Sequence, residues 1–169
     1  MARERDRDAS GRPRNARPRD EYGRPLPHGS AGVEGPPDDL ALPPAQSLAE
    51  AQRLLDGGRA FQAHEVLEGT WKSVVPDDER DLWRGLAQLA VGVTHAQRGN
   101  TVGAARLLRR AADRIAPWSI DPPHDIDVRG LVTWATSAAE RAESGDDLPA
   151  PPRLTQAETV GRQAWERAE

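Results

Sequence analysis

Between Ser47 and Ser144, apolar residues recur at intervals of three and four, and glycines or prolines separate the segments that carry them. This spacing is typical of amphipathic helices that turn one face toward a common core. Nowhere in the stretch do apolar and polar residues alternate for long enough to predict a strand. The sequence therefore predicts an all-α fold, a compact bundle of about five helices.

The predicted helices begin at capping residues and end at glycine or proline. Ser47, followed three residues later by Glu50, has the pattern of a capping box and is the predicted N-cap of the first helix, which ends at Gly57 and Gly58. Glycine can adopt the left-handed conformation that closes a helix, and proline cannot continue one. The other four helices are predicted over about 59–75, 77–98, 100–116 and 127–144.

Composition separates this helical region from the two ends of the chain. Residues 1–45 contain eight of the 15 prolines and few aliphatic side chains, which indicates an irregular or disordered arm. The alternative is that chain near Leu26 lies on the helical body as an ordered but irregular strap. The predicted division is an arm over 1–45, a helical domain over 46–144 and a Pro-rich tail over 145–169, in which Thr155 can open a short final helix.

Charge and residue content narrow the classes of function. The net charge is −4, so binding to nucleic acid would need a local patch. Eight arginines against five acidic residues over 3–24 supply one, and nucleic-acid or other anion binding by the arm is a minor alternative to a solvated tail. The absence of cysteine excludes thiolate chemistry, and no apolar run approaches the ~18 residues of a membrane span. We expect a cytoplasmic protein without a membrane partner.

The third predicted helix carries two glycines, Gly85 and Gly92, two turns apart on one flank. Glycine inside a helix costs about 1 kcal/mol relative to alanine. The aligned pair therefore predicts that another helix passes close to this flank, and that the third helix is central.

Polar residues lie where a central helix would bury them. On the third helix the stripe includes Gln88 and His95, which we expect to be at least partly buried. On the second helix, His64 and Glu68 are four residues apart and so share one face. If the two helices pack antiparallel, these side chains can meet. The predicted polar cluster comprises His64, Glu65, Glu68, Trp71, Arg84, Gln88, His95, Arg98 and Asn100.

Three interpretations of this cluster remain open. The first is a hydrogen-bonded buried network that fixes helix packing in a structural or interaction module, with self-association as an option. The second is a metal-assisted, hydrolase-like enzyme in which His64, Glu68 and His95 hold a single divalent ion. In that case Glu65 would be the general base, and Arg84 or Arg98 would hold an anionic substrate. The third is a recognition groove for a peptide, an anion or another subunit, lined by Glu65, Trp71, Lys72 and Arg84.

The motifs of the second and third helices resemble a known family. The run from Phe61 to Glu68, Trp71, the run from Trp83 to Val91, His95, Arg98-Gly99-Asn100 and Gly103-Ala104 together resemble the family called domain of unknown function 309. The resemblance covers about residues 47–116. It implies a small all-α bacterial or archaeal domain without an established activity, with its recurrent polar positions at the nine residues of the predicted cluster.

Overall fold

The computed structural model describes residues 17–37 and 40–156, and it confirms the all-α prediction. Three short 3-10 turns connect its longer helices, and the described residues contain isolated β-bridges but no strand. The α-helices are α1 (Pro44–Asp56), α2 (Ala60–Ser73), α3 (Arg80–Gln97), α4 (Thr101–Ile115) and α5 (Val128–Glu143).

Each helix packs against the next one along the chain, and α3 lies between α2 and α4. The buried core takes large aliphatic side chains from every helix, and Trp83 of α3 is completely buried among them. The third helix thus has the central position that the sequence predicts, since it lies between α2 and α4. None of the described helices combines the length and the apolar character that a membrane span requires.

The two glycines of α3 mark its contact with α4. A methyl group at Gly92 would lie 2.8 Å from Cγ of Leu108, and one at Gly85 would overlap Ile115. Both neighbours belong to α4, so the predicted close helix approach is confirmed and its partner is identified.

The predicted start of the first helix is wrong. The helix begins three residues before Ser47, at Pro44, and no side chain caps it. Proline suits a first helical turn because its fixed φ matches the helix and its missing N–H would have no intrahelical acceptor there. Ser47 is instead fully buried, and its Oγ accepts a hydrogen bond from Oγ1 of Thr70 at 2.8 Å.

The last two helices begin close to the predicted residues, and a side chain caps each of them. The Asn100 side chain accepts a hydrogen bond from the backbone N–H of Gly103 at 2.9 Å, and Asp127 does the same for Gly130 at 3.1 Å. These bonds satisfy N–H groups that have no partner inside the helix. The end of α3 also follows the prediction, since Gly99 closes it with a φ of +78°. Its start differs, because a 3-10 turn occupies Asp77–Glu79 and the α-helix begins at Arg80.

The described part of the arm lies on the body as irregular chain, as the strap alternative expected. A tight turn over 20–24 presses Gly23 against the ring of Phe61, so that a side chain at this glycine would overlap the ring. Nε of Arg98 donates to the carbonyl of Tyr22 at 2.9 Å. From here on, the word arm refers only to residues 17–37, the described part of the predicted arm over 1–45.

The described part of the tail also lies on the body. The indole N–H of Trp134 donates to the carbonyl of Ala150 at 2.8 Å, and the backbone N–H of Leu154 donates to Oε1 of Gln52 at 2.8 Å. Thr155 forms an isolated antiparallel bridge with Ile126. The short final helix predicted from Thr155 falls largely on residues 157–169, which lie outside the described residues.

Candidate functional site

A shallow groove of about 170 Å³ runs between α2 and α3 at the surface of the bundle. The two helices are antiparallel, because Trp71 contacts Arg84 at one end and Phe61 contacts Arg98 at the other. We call this feature the α2–α3 groove. It is lined by His64, Glu68 and Trp71 from α2 and by Arg84, Ala87, Gln88 and Val91 from α3.

His64 and Glu68 form the polar wall on α2. Nδ1 of His64 lies 3.2 Å from the carbonyl oxygen of Phe61, so this nitrogen carries the proton and donates. Nε2 of His64 lies 3.1 Å from Oε2 of Glu68, whose other oxygen lies 2.6 Å from Nζ of Lys72. Burial lowers the pKa of His64 below its ordinary value, and the opposing charge of Glu68 offsets only part of that effect. Both ring nitrogens thus face oxygen acceptors, and these contacts favour the protonated imidazole, whereas burial, the larger effect, opposes protonation.

Trp71 forms the aromatic wall of the groove and attracts two cations. The guanidinium carbon of Arg84 lies 5.4 Å from the Trp71 ring centroid, and Nζ of Lys72 lies 5.7 Å from it. Both distances fall within the range of cation–π attraction. Lys72 is also paired with Glu68, whereas Arg84 is exposed and makes no ion pair with a carboxylate in the described residues.

Gln88 lies between these groups on α3. Gln88 is half-buried, as predicted, and its Oε1 atom is buried without a hydrogen-bond partner in the described structure. A buried acceptor without a donor costs free energy, so this oxygen favours an incoming donor. The groove is thus lined by an aromatic face, one unpaired guanidinium and several acceptors.

The structure does not bring His95 to His64 and Glu68. His95 lies two turns beyond Gln88 along α3, and its Nδ1 contacts Nδ2 of Asn100 at 2.8 Å. In residues 17–37 and 40–156, no three His, Asp or Glu side chains are placed to hold one metal ion. The predicted divalent-metal triad of His64, Glu68 and His95 is therefore not assembled, because His95 contacts Asn100 at the corner between α3 and α4 instead.

Glu65 and Arg98 lie outside the groove. Glu65 lines a different cavity, on the arm side of α2, and Arg98 binds the arm through the carbonyl of Tyr22. The predicted cluster is thus divided into three parts: the α2–α3 groove, the pair of His95 and Asn100, and the contacts with the arm. It is half-buried rather than buried, since Arg84 and Asn100 are exposed.

The sequence interpretation gave no functional role to Phe61 or Gln62. Phe61 is the only phenylalanine of the chain, and its ring carries Arg19 at 5.0 Å and Arg98 at 5.7 Å from its centroid. Gln62 is 2% exposed, although it is polar. The signal that could have identified both was their place in the run from Phe61 to Glu68, beside the residues that were singled out.

Fold and site together define a small helical bundle with a polar groove between its second and third helices. The family described as Domain of unknown function (DUF309) matches residues 48–107, which include all of α2 and α3. The predicted resemblance to this family is therefore confirmed for the central helices.

One curated protein is similar to a short part of the chain. Over 48 residues the chain is 46% identical to the protein named "Uncharacterized protein YpuF" of Bacillus subtilis (strain 168). The aligned part covers 28% of this chain and 28% of the relative, so the chain spans about 28% of the length of the curated relative it matches. No solved structure matches the chain.

Proposed function

We propose that the protein is an interaction module whose α2–α3 groove binds a carboxylate-bearing segment of a partner polypeptide. The observation that carries the proposal is the exposed guanidinium of Arg84, which lies over the Trp71 ring without a carboxylate partner in the described residues. A guanidinium offers two parallel N–H groups to a carboxylate. Stacking on an indole holds that fork in place and lowers the entropy lost on binding.

The rest of the groove supports the same ligand chemistry. Trp71 and Val91 offer apolar surface to the side chains of an extended segment, while Gln88 Oε1 can accept a backbone or side-chain N–H. Interfaces of this kind concentrate binding energy in Trp and Arg side chains. The groove therefore combines one charged anchor with one aromatic anchor.

Two alternatives receive less support from the structure. Metal-assisted hydrolysis needs three ligands on one ion, and only His64 and Glu68 are in contact. Nucleic-acid binding by the arm needs arginines directed outward. Arg19 instead stacks on the Phe61 ring, and Nε of Arg24 lies 4.0 Å from Oδ2 of Asp20 in its own turn. The arginines of residues 1–16 lie outside the described part.

The test compares two labelled peptides by fluorescence anisotropy. One is an acidic, aspartate- and leucine-containing hexapeptide, and the other has asparagine in place of every aspartate and an amidated C-terminus. We expect the full-length protein to bind the acidic peptide, and Arg84→Ala to weaken binding about tenfold or more, because a charge-assisted pair is lost. Arg84→Lys should restore only part of the affinity, since lysine lacks the planar fork.

The matched control is Arg106→Ala, which removes an exposed arginine of α4 that does not line the groove. It changes the net charge by the same amount and should leave peptide affinity unchanged. Equal affinity for the amidated peptide, or an equal loss in both alanine variants, would refute the proposal.

Cytoplasmic location and self-association also remain proposals. A chain without cysteine is compatible with a reducing compartment, and fractionation of cells that express the tagged chain tests the location. Sedimentation velocity over a range of protein concentrations tests whether the chain self-associates.

A further inference from the structure

A second cavity, of about 190 Å³, lies between the arm and α2. The arm contributes Arg17 and Arg19 to its lining, and α2 contributes Phe61, Gln62 and Glu65. We call it the arm cavity. It shares no lining residue with the α2–α3 groove, so it constitutes a separate candidate site.

Gln62 supplies an acceptor that the folded chain leaves unsatisfied. The residue is 2% exposed, and its Oε1 is buried and accepts no hydrogen bond in the described structure. Native proteins rarely leave such an oxygen without a donor, because its lost hydration is not repaid. A ligand that brings an O–H or N–H group to this oxygen would recover that loss.

Arg19 supplies a positioned positive charge. Its guanidinium lies 5.0 Å from the Phe61 ring centroid and donates to the carbonyl of Gly23. Its backbone carbonyl accepts the N–H of Val33 at 2.8 Å, which ties the two sides of the arm together. Arg17 also lines the cavity, so two arginines face the single carboxylate of Glu65, and this excess of positive charge favours a carboxylate ligand.

We propose that the arm cavity binds a small carboxylate with a hydrogen-bond donor on the adjacent carbon, as in a 2-hydroxy acid or an α-amino acid. The carboxylate pairs with Arg17 and Arg19, and the hydroxyl or ammonium group donates to Oε1 of Gln62. Drug-sized ligands need pockets of about 300 Å³ or more, so a volume near 190 Å³ restricts the ligand to a few heavy atoms. Because the cavity has one wall from the arm and one from α2, the bound acid fastens the arm to the body.

Three probes with the same three-carbon skeleton test the chemistry: lactate, alanine and propionate. Titration of the full-length protein, followed by ¹H–¹⁵N NMR, measures each affinity. We expect lactate or alanine to bind about tenfold more tightly than propionate, because only these two donate to Gln62. The preference between lactate and alanine distinguishes a hydroxy acid from an amino acid, and either preference supports the proposal.

The variant Gln62→Leu removes the acceptor with little change in volume. We expect it to abolish the advantage over propionate and to raise the melting temperature of the ligand-free protein, since an unsatisfied buried oxygen is gone. Arg84→Ala, which alters only the α2–α3 groove, should bind all three probes as the wild type does. Failure of the peptide proposal would therefore leave this result unchanged.

Limited trypsin digestion of the wild type gives a readout that does not depend on any variant. Lactate or alanine should slow cleavage after Arg19 more than propionate does at the same concentration, because the bound acid holds the arm in place. Equal affinities for the three probes, equal protection by them, or a Gln62→Leu protein that still prefers the donor-bearing acids would each overturn the proposal.

Discussion

The side-chain nitrogen of Asn100 lies 2.8 Å from Nδ1 of His95, at the corner between α3 and α4. Oδ1 of Asn100 accepts the N–H of Gly103, so the amide nitrogen is the atom that faces the imidazole and donates to it. A ring nitrogen that accepts is unprotonated, and the contact therefore favours neutral His95. Burial and the neighbouring charge of Arg98 also lower the pKa of His95 below its ordinary value.

Replacement of Asn100 by alanine should change both the stability of the protein and the pKa of His95. We expect the pKa of His95 to rise, because the donor that opposes its protonation is gone, and the protein to lose about 1 kcal/mol of stability with the cap of α4. An NMR titration of the imidazole Cε1–H signals measures the first effect, and urea unfolding measures the second.

Asp127→Ala is the matched control for this prediction. It removes the equivalent cap of α5 and should cost a similar free energy of unfolding without moving the pKa of His95. A shift of the same size in both variants would mean that Asn100 has no specific effect on the imidazole.

His64 gives the groove a pH dependence. Its pKa is lowered in the folded state, chiefly by burial, so below about pH 6.5 the unfolded chain binds the proton more readily than the native protein does. The free energy of unfolding should therefore be fully retained above that pH and should decrease as the pH falls toward the lowered pKa. Urea midpoints measured between pH 7.5 and about 5 record the slope, and His64→Gln should reduce it.

Glu68→Gln tests how the contact between Glu68 and His64 affects the pKa of His64. The carboxylate of Glu68 opposes the effect of burial on His64, so its removal should lower the pKa of His64 further. The control is Glu140→Gln, an exposed residue of α5 that also removes one negative charge. If both glutamine variants leave the imidazole titration where it is in the wild type, the contact at 3.1 Å does not operate in solution.

Particular residues show which features a single sequence can specify. Gly85 and Gly92 were informative because a close approach of two helices excludes larger side chains, so glycine at these two positions indicates the contact. Ser47 was misleading because its partner, Thr70, lies 23 residues away and cannot be identified from a local capping pattern. His95 was placed with His64 by helical spacing, but Asn100, beyond the end of α3, determines the direction of its ring.

The groove residues followed from periodicity, whereas the arm contacts did not. Two antiparallel helices joined by a short turn must bring His64 and Trp71 toward the facing stripe that holds Arg84 and Gln88. An irregular segment has no such period, so nothing in the spacing of the arm indicated that Gly23 would lie on Phe61. Gln62 was missed for a related reason, since the arm forms one side of the cavity that it lines.

Alanine at Gly85 should destabilise the contact between α3 and α4. A methyl group there overlaps Ile115, and overpacking of this kind costs about 1–3 kcal/mol, which exceeds the gain of at most about 1 kcal/mol in helix propensity. Gly57→Ala is the control, because Gly57 ends α1 with a φ of −83° and its nearest atoms lie at 3.4 Å or more. Thermal unfolding should show a lower melting temperature for Gly85→Ala alone, and equal melting temperatures would contradict the close packing.

Removal of the Phe61 ring should release the arm. Gly23 packs on one part of this ring and the guanidiniums of Arg19 and Arg98 lie over it, so Phe61→Ala removes an apolar contact and two cation–π contacts at once. Without the ring, the like charges of Arg19 and Arg98 remain close, and that repulsion favours the detached arm. Trypsin should then cleave after Arg19 at least about tenfold faster than in the wild type, because proteolysis follows the population of the open segment. Val102→Ala, which truncates an exposed side chain of α4, should be cleaved at the wild-type rate, and a Phe61→Ala protein as resistant as this control would show that the arm is held by its other contacts.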